Sequence, residues 1–164
     1  IFDDNGKILP EVITILEIVK TYDCCINTGH LSAEEVKAII KEAKKIGINK
    51  IIVSHTMWSL LGYTKDNLKE FADLGAFLEF EFYNCQAMVQ WVSGTPTTHQ
   101  GQYLETMRYV GVDHCIMSTD MGQAYSANPI EALRFFIASM LYVGAKPDEI
   151  KTMMQRNPSF CIGL

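Results

Sequence analysis

The stretch LSAEEVKAIIKEAKKIGINKIIVSHT, residues 31–56, contains one complete helix–strand unit and decides the fold class. Its first part carries apolar residues at helical spacing, and Ser32 followed by Glu35 has the pattern of a capping box. Gly47 ends this periodic segment, and the β-branched run that follows is typical of a buried strand. The sequence therefore predicts a helix over 31–47 and a strand over 49–54.

The same alternation extends along the whole chain. Further strands are predicted at 22–28, 76–84 and 113–119, and further helices at 9–22, 64–75, 102–111, 128–144 and 146–157. Helices that alternate with strands indicate βαβ units and a parallel sheet, so the predicted fold is α/β. We expect one domain over residues 1–164. Its first helix has no preceding strand, which indicates that the chain begins in the middle of such a unit.

Composition excludes several classes of protein. The chain has 164 residues, 48% of them hydrophobic, which suffices for a sizeable core. Its net charge is −5 and it contains no basic block, which argues against nucleic-acid binding. No apolar run approaches the ~18 residues of a membrane span. The five cysteines form no CxxC pair, so we expect buried free thiols and a cytoplasmic protein.

Three predicted strands end in side chains that commonly bind metals. His30 follows the first predicted strand, His55 the second and Asp120 the fourth. The carboxyl ends of parallel strands share one edge of a sheet, so we expect these side chains to converge there. Imidazole and carboxylate groups are ordinary ligands of zinc, and a nearby carboxylate can accept the proton of a metal-activated water. The pattern predicts a site for a divalent metal, zinc in the first instance, with Asp120 also catalytic.

Each of these residues also has an ordinary structural explanation. His30 could simply begin the following helix, His55 could be a hydrogen-bonded histidine at a strand end, and Asp120 could cap a turn. Their occurrence on three separate strands favours a site over three coincidences. The remaining histidines are weaker candidates, because His99 lies in a polar loop and His114 precedes its strand, at the opposite end of the sheet.

Other polar and aromatic residues near strand ends are candidates for substrate binding. Glu79 and Glu81 alternate with phenylalanines and share one face of their strand, and Glu81 is nearer its carboxyl end. An ion pair with a neighbouring strand explains Glu81 equally well. Trp58 and Gln123 lie just beyond two strands, and we assign both, with Glu81, to substrate binding. Trp58 and Trp91 could each line a pocket or only cover the core.

Several of these motifs resemble a known superfamily. The strand-end histidines in TGHLS and VSHT, the sequence STDMG at 118–122 and the ending NPSFCIGL at 157–164 are similar to the last four strands of the amidohydrolase superfamily of metal-dependent hydrolases. The pair TGHLS and VSHT in particular resembles a little-characterised branch of that superfamily. The resemblance extends over essentially the whole chain.

The resemblance implies the C-terminal half of a TIM (β/α)8 barrel. His30 would correspond to the fifth-strand histidine of the family's metal site, His55 to the sixth-strand histidine and Asp120 to the eighth-strand aspartate. The strand over 76–84 would be the seventh. The implied reaction is attack of a metal-activated water on an amide, ester or related bond of a small molecule. The first-strand His-x-His of that family does not occur in this sequence.

A half-barrel would have two open edges and an uncovered interior face, on which we expect side chains such as Ile52 and Phe80. The missing N-terminal half or a homo-oligomer partner would therefore complete it. Two alternatives remain. A degenerate barrel domain could have an assembly role without catalysis. A doubly wound binding domain is less well supported, since neither GxGxxG nor GxxxxGK[ST] occurs.

Overall fold

A computed structural model describes residues 1–86 and 98–164. The four strands are β1 (Ile26–Asn27), β2 (Ile51–Val53), β3 (Phe77–Glu81) and β4 (Cys115–Ser118). The α-helices are α1 (Pro10–Thr21), α2 (Ala33–Lys45), α3 (Lys65–Asp73), α4 (Gln100–Val110), α5 (Pro129–Tyr142), α6 (Pro147–Lys151) and α7 (Asn157–Ile162). Short 3₁₀ turns follow β3 at Phe82–Cys85 and precede β4 at Val112–His114. Trp91 and most of the predicted loop at 93–101 lie outside the described residues.

The four strands form one parallel sheet in the order β1-β2-β3-β4. Ile26 is paired with Ile51, and at the other side of the sheet Glu81 is paired with Ser118. The predicted α/β fold with a parallel sheet alternating with helices is confirmed. The strands are shorter than predicted, most of all β1. The chain turns sharply at Asp23, whose φ is 51°, and pairing starts only at Ile26.

The two faces of the sheet have different chemistry. The helix-covered face carries buried apolar residues from the three longer strands: Ile51, Val53, Leu78, Phe80, Cys115 and Met117. Phe80 is fully buried, and its ring centroid lies 5.5 Å from that of Tyr103 in α4. The prediction that Phe80 lies on an uncovered face was therefore wrong. Side chains alternate along a strand, so Phe80 must point away from the face that carries Glu79 and Glu81.

Local signals fix the helix boundaries. The Ser32 side chain accepts a hydrogen bond from the Glu35 backbone N–H, while the Glu35 carboxylate accepts one from the Ser32 N–H at 2.9 Å, as predicted. Thr64 and Asn67 form the same reciprocal arrangement at the start of α3. Gly47 has a φ of 83° just after α2, a conformation that glycine adopts without steric cost. These short-range interactions begin and end the helices that lie between the strands.

The C-terminal helical segment is longer than predicted. Instead of one helix over 146–157, α6 continues through a π-helical turn at Thr152–Arg156 into α7. Pro158 lies in the first turn of α7 and has no N–H to donate. Its ring would also clash with a carbonyl one α-helical turn earlier, and the wider π-turn relieves that clash. The proline therefore changes the helical geometry here without ending the helix.

Asn157 ties α7 to the sheet. Its buried Nδ2 donates to the carbonyl oxygens of Val112 at 3.1 Å and Cys115 at 2.6 Å, just before and at the start of β4. The Cys115 carbonyl is thereby satisfied away from water, as buried backbone groups require. The contact fixes the end of β4 that is remote from Asp120.

The cysteines are free, as predicted, but their burial differs. Cys115 and Cys161 are buried, whereas Cys24 is exposed because it lies in the turn before β1 pairs with β2. In the part of the chain that the structure describes, no helix combines the length and apolar character needed to cross a membrane.

Candidate functional site

The structure brings His30, His55 and Asp120 together at the carboxyl edge of the sheet. The ring centroids of His30 and His55 are 4.6 Å apart, and Nδ1 of His55 lies 4.0 Å from Oδ2 of Asp120. The residues come from the ends of β1, β2 and β4, so the parallel topology is what places them side by side. The sequence thus identified the cluster. Its role in metal binding stays a prediction.

Two of these residues have unusual backbone conformations. His55 has a φ of 57° and Asp120 a φ of 50°, in the left-handed region that non-glycine residues rarely adopt. Such conformations cost free energy, and they persist where surrounding contacts hold them. The turns that follow β2 and β4 direct the side chains of His55 and Asp120 into the same pocket. The sequence alone gave no signal for this feature.

Glu81 lies beneath His55 and is nearly inaccessible to water. Its Oε1 accepts a hydrogen bond from the His55 backbone N–H at 2.5 Å and lies 3.3 Å from the ring Nδ1. Burial raises the pKa of the Glu81 carboxyl well above its usual range, and the nearby Glu79 charge raises it further. Glu81 thus contacts His55 beyond the neighbouring strand and also borders the polar pocket described below. The ion pair considered for Glu81 stays a prediction.

Glu79 shares the face of Glu81, as predicted, but has other neighbours. Its Oε2 accepts a hydrogen bond from the Ser54 hydroxyl at 2.7 Å, and that hydroxyl also lies 2.8 Å from Oδ1 of Asn27. These three residues belong to or follow β1, β2 and β3. They form a polar row across the sheet directly below the histidines.

Burial sets the electrostatics of the cluster. It lowers the pKa of His55, with the Asp120 carboxylate opposing and the His30 charge reinforcing the shift. Burial also raises the pKa of Asp120, with His55 opposing. A histidine that stays neutral has a ring nitrogen able to bind a metal or accept a proton. The site thus favours the form of His55 that this chemistry requires.

A pocket of about 180 Å³ opens above the cluster. Its walls are His30, His55, Trp58, Tyr83, Asn84, Asp120 and Gln123. The Trp58 ring lies 5.6 Å from both imidazole rings, and Gln123 Nε2 donates to the backbone oxygen of Asp120 at 2.9 Å. A polar pocket of about 450 Å³ adjoins it, along Glu79 and Glu81. All three residues assigned to substrate binding therefore border a pocket at this edge, and that role stays a prediction.

Sequence reasoning missed a pair of tyrosines beside the pocket. The hydroxyls of Tyr83 and Tyr125 are 2.8 Å apart, and this bond raises the pKa of Tyr83 to about 12. The Tyr83 N–H also donates to the Thr119 oxygen at 3.0 Å. These bonds attach the segment that carries Asp120 to the turn after β3. Tyr83 could have been found by the strand-end rule that identified His55, whereas Tyr125 had no sequence signal.

The side chains of the cluster are of the types that bind divalent metals. Two imidazoles and a carboxylate are typical zinc ligands, and the side chains that would hold the ion are those of His30, His55 and Asp120. The buried Oε2 of Glu81 nearby has no hydrogen-bond partner, and a cation beside such an acceptor would stabilise it. Within residues 1–86 and 98–164, however, no three His, Cys, Asp or Glu side chains are already arranged around one ion position.

Comparison with known proteins identifies a similarity over the first part of the chain. Residues 1–79 match the model of a family of unknown function, DUF6282. This match includes His30 and His55 and ends before Glu81 and Asp120. No curated protein matches the sequence.

Proposed function

We propose that this chain is part of a metal-dependent hydrolase of the amidohydrolase type. The observation that carries the proposal is the convergence of His30, His55 and Asp120 from three parallel strands on one pocket. A divalent metal, zinc in the first instance, would supply an activated water for attack on an amide, ester or related bond. The site residues would bind, orient and move protons around that water.

The roles follow from the environment of each residue. His30 and His55 would provide ring nitrogens. The carboxylate of Asp120 would accept the proton of the attacking water and return it to the leaving group. Burial raises the pKa of Asp120, which makes its carboxylate a better base than an exposed aspartate.

The order of the strands supports a barrel over a doubly wound sheet. Doubly wound sheets reverse their strand order at a switch point, whereas these four strands follow chain order without reversal. In a (β/α)8 barrel the helices cover the outside, and active sites lie at the carboxyl ends of the strands. The four strands would then be the fifth to eighth of a barrel, with Glu79 and Glu81 directed to its interior.

The pocket suits a small-molecule substrate. Trp58 provides an aromatic wall beside both histidines, and Gln123 lies beside Asp120. Glu81 would border the substrate only at the polar pocket, because it is almost fully buried. Trp58 and Gln123 are thus the stronger candidates for direct substrate contact.

A half-barrel also implies a partner for its open edges. β1 and β4 each pair with a single strand among the described residues, so their outer edges are available. Either another protein segment or a second copy of this chain would complete the barrel. Light scattering at micromolar concentration tests this expectation. A well-folded monomer of the 164 residues would contradict it.

A second function is a barrel domain that assembles without catalysis. It is favoured by the lack, within the described residues, of three side chains already arranged around a metal. In that case His30 and His55 would be remnants, and their replacement would leave metal content unchanged.

Zinc binding distinguishes the two functions. If first-strand ligands are required, we expect the 164-residue chain alone to bind zinc weakly and His55→Ala to change that binding little. In the full-length protein, His55→Ala and Asp120→Asn should retain much less zinc than the wild type. His114→Ala is a matched control, because His114 lies at the other end of the sheet, with its Nδ1 3.1 Å from the Ala76 oxygen. Equal zinc retention in the full-length wild type and all three variants would exclude the hydrolase proposal.

A further inference from the structure

Glu81 has a geometric relationship to His55 that the hydrolase proposal does not use. A single oxygen, Oε1, lies 2.5 Å from the His55 backbone nitrogen and 3.3 Å from the ring Nδ1. The same carboxyl therefore contacts both the strained backbone and the ring of one residue. Since Glu81 is 1% exposed, water does not compete for these contacts.

We propose that Glu81 is a positioning residue that holds His55 in its left-handed backbone conformation and keeps the ring proton on Nδ1, leaving Nε2 free. The backbone part follows from the φ of 57° at His55, where the N–H finds its acceptor in Oε1. The tautomer follows from the oxygen atoms around the ring. Nδ1 faces Glu81 at 3.3 Å and Asp120 at 4.0 Å, so a proton there lies between two acceptors.

The inference does not depend on the charge of Glu81. A carboxylate and a neutral carboxylic acid both leave Oε1 able to accept hydrogen bonds. Glutamine at this position would keep an equivalent carbonyl oxygen, whereas leucine would remove it at similar volume. Comparison of the two substitutions therefore distinguishes the effect of the hydrogen-bond acceptor from the effect of side-chain volume.

The consequence for chemistry rests on the proposed function, because the tautomer decides which ring nitrogen could bind a metal. With its proton on Nδ1, His55 could do so only through Nε2, whereas the opposite tautomer could do so only through Nδ1. The tautomer itself exists in the metal-free protein, so it can be measured without any activity.

Nitrogen-15 NMR of the metal-free protein, at a pH where His55 is neutral, reports the tautomer directly. The signals of His55 are assigned by their loss in His55→Gln. We expect the Nδ1–H form in the wild type and in Glu81→Gln. In Glu81→Leu the ratio of Nδ1–H to Nε2–H should fall roughly fivefold, because the Oε1 atom beside Nδ1 is removed. Amide exchange at His55 should accelerate in Glu81→Leu and not in Glu81→Gln.

Glu79→Leu is the matched control, because Glu79 lies on the same face two residues earlier and contacts Ser54 instead of His55. It should leave the tautomer of His55 unchanged. An Nε2–H tautomer in the wild type, or an unaltered ratio in Glu81→Leu, would overturn the proposal. If Glu81→Leu does not fold, the proposal is tested on the wild type and Glu81→Gln. An Nε2–H tautomer of His55 in either protein would overturn the proposal. A protein that shows the Nδ1–H tautomer of His55 but does not bind zinc would instead count against the hydrolase function alone.

Discussion

The imidazole rings of His30 and His55 stack face to face, with centroids 4.6 Å apart and planes inclined by 14°. Two protonated rings at this distance would repel each other strongly in a partly buried site. The stack therefore favours a state in which at least one ring is neutral. His55 is the ring whose pKa is lowered, first by burial and then by the charge of His30.

Replacement of His30 by alanine should raise the pKa of His55. The substitution removes a repelling charge, and it lets water reach a ring whose burial is the main cause of the low pKa. An NMR titration of the His55 ring protons measures the change. His114→Ala should leave the pKa of His55 at its wild-type value. A His55 pKa that stays the same or falls in His30→Ala would contradict this account of the stack.

Asp120→Asn should stabilise the metal-free protein at neutral pH. Folding raises the pKa of Asp120 above its ordinary value of 3.8, so the unfolded chain loses this proton first as pH rises. Stability is therefore lost as pH rises from that value through the folded pKa. Asparagine does not titrate, so the free energy of unfolding of the variant should exceed that of the wild type above this window.

Urea unfolding in the presence of a chelator, at several pH values, measures this difference. The advantage of Asp120→Asn should shrink at acidic pH and disappear once Asp120 is protonated in both states. Asp113→Asn serves as control, because Asp113 is exposed at the other end of the sheet. A wild type that is more stable than Asp120→Asn at neutral pH would show that burial is not the main influence on this carboxyl.

The sequence predicted the parts of the fold that depend on short-range patterns. The capping box of Ser32 and Glu35 was read directly from the spacing, and strand-end side chains were correctly expected at one edge. Periodicity and capping depend on residues only a few positions apart, so they can be recognised in a single sequence. They determine the order of the elements and hence which strand ends become neighbours.

The finer features depend on three-dimensional contacts that no spacing encodes. The face predicted for Phe80 is an exception, since the prediction was wrong although the spacing contained the answer: alternation places Phe80 opposite Glu79 and Glu81, on the helix-covered face. The left-handed φ of His55 and its contact with Glu81 arise between strands 26 residues apart in sequence. These contacts are set by register, which became known only with the structure.

Ser32→Ala should destabilise the protein by about 1 kcal/mol, the usual cost of losing a helix N-cap. The Ser32 hydroxyl lies 3.4 Å from the Glu35 backbone nitrogen and 2.7 Å from its carboxylate, so both partners lose an interaction. Denaturant unfolding measures the change. Ser59→Ala, at an exposed position outside any helix, should stay within about 0.5 kcal/mol of the wild type. Equal effects of the two substitutions would contradict a capping role.

Asn157→Ala should destabilise the protein more than Ser32→Ala. It removes both hydrogen bonds from Nδ2 to the oxygens of Val112 and Cys115, and the latter lies in the core. A buried carbonyl left without a partner costs about 1–3 kcal/mol, and this cost applies to the Cys115 oxygen, since the Val112 oxygen also accepts from the Cys115 N–H. We therefore expect a clear fall in the free energy of unfolding and faster amide exchange at the start of β4.

Gln155→Ala is the control for this substitution, since Gln155 is exposed in the adjoining π-turn. It should change stability by no more than about 0.5 kcal/mol. The NMR signals of His55 and Asp120 provide a second measurement, because they lie at the opposite end of the sheet. Asn157 anchors α7 to β4 at the remote end, so both signals should keep their wild-type positions in folded Asn157→Ala. Large shifts there, or a stability equal to that of Gln155→Ala, would show that the contact of Asn157 with β4 has a different role from the local anchor inferred here.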